Sequence, residues 1–208
     1  IAEALALAQE LNHKYMETQV RVYQVQILLY LGDLDDARHA GEALQALIQE
    51  TGDREPESRL NVLMAEILGR QGDLDSARAY VDRALIPAVA AHAKHIQVRV
   101  LTTMAWVALA AEDWGDARNV AREALMLSER VGSKYQTAVL NLMLGEIILA
   151  TGQGNALPHF EVVESIAGSI GSNVLLAQAL FGQAAATSTT RGARMLALRA
   201  RALVEDLL

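Results

Sequence analysis

The sequence predicts an all-α chain built as a solenoid of antiparallel helix-turn-helix hairpins. The first observation behind this is a recurring phrase. Gly72-Asp73-Leu74-Asp75-Ser76-Ala77-Arg78 is preceded by Gly32-Asp33-Leu34-Asp35-Asp36-Ala37-Arg38 and followed by Glu112-Asp113-Trp114-Gly115-Asp116-Ala117-Arg118. The second is the spacing. A worn copy starts at Gly152 and Gly192 opens a fifth, so every step is 40 residues. A fixed period of about 20 to 50 residues marks a repeat architecture. The third is composition: 52% hydrophobic but only 4% aromatic, a core of Ala, Leu, Val and Ile that suits close-packed helices better than a β-sandwich.

The elements follow in order. Residues 1–11 read as a helix with Ala2, Leu5 and Ala8 on one face. Ala84-Leu85 and Ala124-Leu125 stand in second helices, and stepping back by the period puts Ala4-Leu5 in the same slot. The expectation is a chain that opens partway through a repeat. First helices are predicted at 15–31, 55–71, 95–111, 134–151 and 173–187. Second helices are predicted at 34–51, 74–91, 114–131, 155–169 and 192–207. The repeats run 15–52, 55–92, 95–132, 134–171 and 173–208, within one domain over 1–208. Gly32, Gly72 and Gly152 supply a left-handed residue to close the first helix. Asp33, Asp73 and Asp113 stand where they can cap the second. Ala37, Ala77 and Ala117, one turn inside, let two backbones approach closely. Asn12, Gly52, His92 and Gly132 share an inter-repeat slot that reads as a helix stop. Ser133 and Ser172 can cap the helices that follow. Pro56 sits at the start of a first helix, where a missing amide costs little; Pro87 falls inside a second helix and predicts a kink.

These phrases resemble the tetratricopeptide repeat in an elongated form. The resemblance lies in Gly-Asp-Leu-x-x-Ala, in Ala84-Leu85 and Ala124-Leu125, and in a small residue seven positions before the turn: Ala65, Ala105, Gly145 and Ala185. The first-helix tryptophan of the family is replaced by Arg21, Asn61, Leu101, Asn141 and Phe181. The resemblance implies a right-handed superhelical solenoid used for interaction rather than catalysis. The run from Arg59 to Ala77 also resembles the helical region of MalT-like, LuxR-type bacterial transcription regulators. There such a solenoid serves in sensing, which implies a bacterial signalling context; the absence of cysteine makes a reducing cytoplasm the expected location.

Composition narrows the function. A net charge of −7 and a pI near 5.2 argue against a nucleic-acid surface, which needs clustered Lys and Arg. With no cysteine, thiolate metal sites and disulfides are excluded. No apolar run reaches the length of a membrane span. His92 and His95 are three apart, a spacing that reaches one metal on a helix, but no carboxylate stands beside them and a solvated linker explains them better. Asp33, Asp35 and Asp36 lack the glycine and distal glutamate of a calcium loop. Gly152-x-Gly154 joins two helices without a preceding strand, so it is no phosphate loop. His39 and His159 have no nucleophile or acid at motif spacing. Neither a catalytic residue nor a cofactor is expected.

What remains is a surface. In the tetratricopeptide class the first helices line the concave face, and by that carry-over three slots look inward. They hold Gln19, Arg59, Arg99 and Val139; then Val22, Val62, Thr102 and Leu142; then Gln26, Glu66, Trp106 and Glu146. The candidate partner-binding residues are Arg59, Glu66, Arg70, Arg99, Thr102, Trp106, Leu142 and Glu146. The arginines suit a carboxylate or an acidic peptide, and Trp106 offers the residue type most enriched at hot spots. A blander reading is that Arg and Glu on neighbouring helices simply pair and Trp106 is packing. The function expected is therefore a partner-binding module on the concave face. The alternatives are a small-ligand sensing segment and an architectural spacer. Self-association through the first helix is expected as well.

Overall fold

The computed structural model describes residues 1–187 and 190–205. Among them there are helices and no strands: α1 (Ala2–Glu10), α2 (Lys14–Leu31), α3 (Leu34–Thr51), α4 (Arg54–Arg70), α5 (Leu74–Ala90), α6 (Lys94–Ala110), α7 (Trp114–Val131), α8 (Lys134–Thr151), α9 (Leu157–Ile170), α10 (Asn173–Ala186) and α11 (Thr190–Glu205). They divide into two compact units, Ile1–Ala111 and Glu112–Leu208.

In the first unit α2 pairs with α3 and α4 with α5, while the first helices α2, α4 and α6 stand side by side. The hairpins close on small residues. Ala37, Ala77 and Ala84 are completely buried, and they seat two apolar clusters. One joins Val22, Leu29, Leu44, Leu63 and Ile67 across α2, α3 and α4. The other joins Val62, Leu68, Val81 and Val100 across α4, α5 and α6. Each fully buried aliphatic side chain contributes about 1.5–3 kcal/mol, so these clusters hold the first helices at fixed spacing.

The second unit repeats the scheme with a larger plug. Phe160 is fully buried among Ala138, Leu142, Val163, Leu175 and Ala179. It fits because Gly145 and Gly182 lie against its ring: a Cβ at Gly145 would sit 2.7 Å from it.

The turn slots behave as the register requires. Gly32, Gly72, Glu112 and Gly152 all have positive φ, and so do Asn12, Gly52, His92 and Gly132 in the other slot. Asp73 and Asp113 accept the amides of Ser76 and Asp116 at 3.0 and 3.1 Å, and the Ser76 hydrogen bonds hold the Asp73 carboxyl below its ordinary range. Ser172 accepts the amide of Leu175. Asp33 and Ser133 make no such bond, whereas His13 caps α2 through the amide of Met16. The helix α5 continues through Pro87 to Ala90.

One expected turn is absent. Gly192 lies inside α11, and the chain leaves α10 at Thr187, in extended backbone at φ −85° and ψ 129°. A β-branched residue enters extended backbone easily and a glycine is tolerated within a helix, so the fifth copy broke earlier than its glycine. Ala185 is consequently exposed instead of packed at a crossing. The loop before α9 is also longer than expected: Gly154 adds a second left-handed residue, and Asn155 accepts the amide of Leu157. Of the predicted 192–207 helix, the last two positions lie outside the described residues.

Candidate interaction face

The exposed side of α2, α4 and α6 is built by residues one period apart. Arg59 donates to Gln19 Oε1 at 3.0 Å across the α2–α4 seam. Its guanidinium also stacks over the Tyr23 ring, 4.8 Å from the centroid, the geometry of a cation–π contact. One turn before the end of the seam, Arg70 reaches the carbonyl of Leu29 at 3.4 Å. That places a positive charge at the C-terminal end of α2, where the helix dipole favours it.

Across the next seam, Arg99 faces Glu66 at 3.5 Å, each side chain about one-fifth exposed. Thr103 also donates to Glu66, at 3.4 Å. Both side chains are mostly withdrawn from water, so a partner's carboxylate is met best by the outward side of the Arg99 guanidinium while Glu66 keeps its pair. Trp106 is half-buried against the cluster that joins α4, α5 and α6, and its ring lies against Gly69, where an added Cβ would sit 2.5 Å from the ring. Glycine at position 69 is what lets the indole lie there.

The candidate residues thus separate into groups. Arg59, Glu66, Arg70, Arg99 and Trp106 share the first-helix face of the first unit. Thr102, beside them on α6, is buried, and its hydroxyl donates to the Val98 carbonyl at 2.8 Å. Leu142 and Glu146 belong to α8 in the second unit. Leu142 is buried beneath Phe160; Glu146 reaches the surface, and partial withdrawal from water raises its carboxyl above the ordinary range. Thr102 and Leu142 therefore occupy core slots and present no side chain to a partner. Their slot is apolar because it continues the fully buried Val22 and Val62.

Sequence reasoning missed Tyr23, Ile27 and Tyr30, which stand exposed at i, i+4 and i+7 on α2. The period hides them: Leu63, Thr103 and Met143 take the Tyr23 slot in later copies. Their own helical spacing was the available signal. With Arg59 over Tyr23, they extend the face along α2.

The tetratricopeptide repeat family model matches over positions 56 to 130. Residues 56–130 are tetratricopeptide repeats. No curated protein matches by sequence. Among solved structures, BtubC (BKLC) from P. vanneervenii is similar over 99% of this chain and 89% of its own, with a TM-score of 0.79 at 17% identity. The nearly identical TPR-like repeats of a chain assigned as a kinesin light chain from Podosopora anserina are similar over 91% and 95%, with a TM-score of 0.67 at 14% identity. At such identities the likeness shows the fold, which is the tetratricopeptide-like one. Tetratricopeptide repeats generally mediate protein–protein interaction and are typically non-catalytic. No described helix is long and apolar enough to cross a membrane.

Proposed function

We propose that this chain is a non-catalytic interaction module that binds an acidic protein segment on the first-helix face of its first unit. The observation that supports this is a charge imbalance around an aromatic anchor. Arg59, Arg70 and Arg99 stand with Trp106 on α4 and α6, and among the described residues only Arg99 of the three is paired to a carboxylate, Glu66, in a chain whose net charge is −7. In a chain acidic as a whole, such a face draws an acidic partner. Tyr23 and Tyr30, both about half exposed, add rigid amphipathic contact area beside Arg59.

An acidic peptide carrying one aromatic residue, titrated into the full chain across a salt series, tests this. Affinity should fall steeply with ionic strength, and Arg99→Glu should abolish binding with the helical circular dichroism unchanged. Unchanged binding by Arg99→Glu would refute the assignment of this face.

A further inference from the structure

We propose that a cleft on the opposite side of the first unit, between successive second helices, binds a small amphipathic carboxylate that also carries an amide, such as an N-acylated apolar amino acid. The last turns of α3 and α5 wall the cleft and the first half of α4 forms its base. Its volume of about 470 Å³ lies within the usual range for small-molecule sites, about 300–1,000 Å³.

The base carries an unspent amide. Asn61 is only 9% exposed, lines the cleft, and has no hydrogen-bond partner among the described residues. The amide is not sealed from water, since the buried side-chain polar atom without a partner among the described residues is Gln136 Oε1; it opens into the cleft instead. The second unit shows the paired version. Asn141 holds the same repeat slot, donates to the Thr137 carbonyl at 2.9 Å, and meets His159 Nδ1 at 2.9 Å. Aligned on the buried positions, where Ala156, Phe160, Val163 and Ala167 match Ala77, Val81, Ala84 and Ala88, the position of that histidine is filled by Tyr80, whose ring carries Arg83 and makes no bond to Asn61. The donor and acceptor of Asn61 are therefore left to whatever enters the cleft, and together they match the carbonyl and N–H of a secondary amide.

The walls supply the other two features. The buried Ile48, Leu60 and Pro87 line the cleft together with Ile86, which is 75% exposed, so an apolar side chain entering there removes Ile86 from water. Arg54 and Arg83 flank the opening with Glu57 as the one acid. Arg54 is already bonded to Glu57 at 3.1 Å, and Arg83 stacks on Tyr80. The net charge of that lining is positive, in an acidic chain, which selects an anionic group at the mouth. None of these residues belongs to the first-helix face, so the two assignments stand or fall separately.

The test uses the full isotope-labelled chain, with N-acetyl-leucine as the probe and N-acetyl-leucinamide as its uncharged match. Saturable NMR shifts are expected at the Asn61 side-chain amide and in the facing turns of α3, α4 and α5. The carboxamide should bind about tenfold more weakly, the loss of one charged hydrogen bond. Asn61→Leu should abolish the shifts while its melting temperature stays near the parent's, because the amide makes no hydrogen bond within the described residues. Arg83→Glu, an exposed change, should erase the preference for the carboxylate. No saturable shift up to the solubility limit, equal binding by Asn61→Leu, or an undiminished carboxylate preference in Arg83→Glu would overturn the proposal. If Asn61→Leu instead unfolds the chain, Asn61 is a structural residue and the assignment likewise fails.

Discussion

Ala77 and Ala79 lie two positions apart on α5, one wholly buried and the other exposed. The same substitution at each therefore isolates packing from helix propensity. Ala77→Leu should cost about 1–3 kcal/mol by forcing α4 and α5 apart, while Ala79→Leu should stay within about 0.5 kcal/mol of the parent. Thermal melts of the pair decide it, and equal losses would mean the hairpin closes on another face. His159 offers a second residue-scale check. Burial, and then the charge of Arg122, hold its pKa below the ordinary 6.5. Between that lowered pKa and the ordinary one, the unfolded chain binds more protons than the folded chain. The stability that neutral His159 contributes is thus complete above about pH 6.5 and is lost as pH falls through the lowered value. His159→Gln keeps a side-chain amide facing Asn141 without the titration. Its melting temperature should fall less than that of the parent between about pH 7 and about pH 5. Parallel curves would show that the imidazole is not withdrawn from water.

At the scale of the element, the turns hold most of what the sequence made legible. A glycine or asparagine in a periodic slot states that the backbone there must turn left-handed, and the slot then predicts the same of Glu112 and His92, which carry no such mark. Both adopt it, at φ 58° and 53°. Holding a side chain in that region costs about 1 kcal/mol. Glu112→Gly should therefore raise stability by up to about 1 kcal/mol, and Gly72→Ala should lower it by about the same amount. Chemical denaturation midpoints report both, and a loss on Glu112→Gly would mean the glutamate makes a contact that outweighs its backbone strain. The register failed at Gly192 and slipped around α9, whose start is delayed by Gly154 and whose stop falls at Gly171. At Gly192 periodicity marked a glycine as a turn, while Thr187 offered the chain an earlier exit. A period shows where equivalent residues recur; it does not show which of two local signals ends a helix.

At the scale of the whole molecule, the fold was legible because it is written several times, and the candidate face was legible only where it shares that period. Arg59 and Arg99 fall in a repeated slot and lie on the accessible side of the first helices. Thr102 and Leu142 fall in another repeated slot and are buried, since a slot names a position on the helix and not the depth of the neighbours around it. Tyr23 matters because it differs from Leu63, Thr103 and Met143, and Asn61 because it lacks the partner that Asn141 has in the same slot; a reading based on recurrence passes over such differences. The chain holds two tryptophans, Trp106 on a first helix and Trp114 at the start of a second, so it carries its own pair of reporters. The direct test of the interaction face is to follow both indole N–H resonances while an acidic, aromatic-bearing peptide is added at low salt. The account predicts that the Trp106 signal moves and saturates, that added salt reverses the shift, and that Trp114 stays in place. Movement of Trp114 with Trp106 unmoved would contradict it.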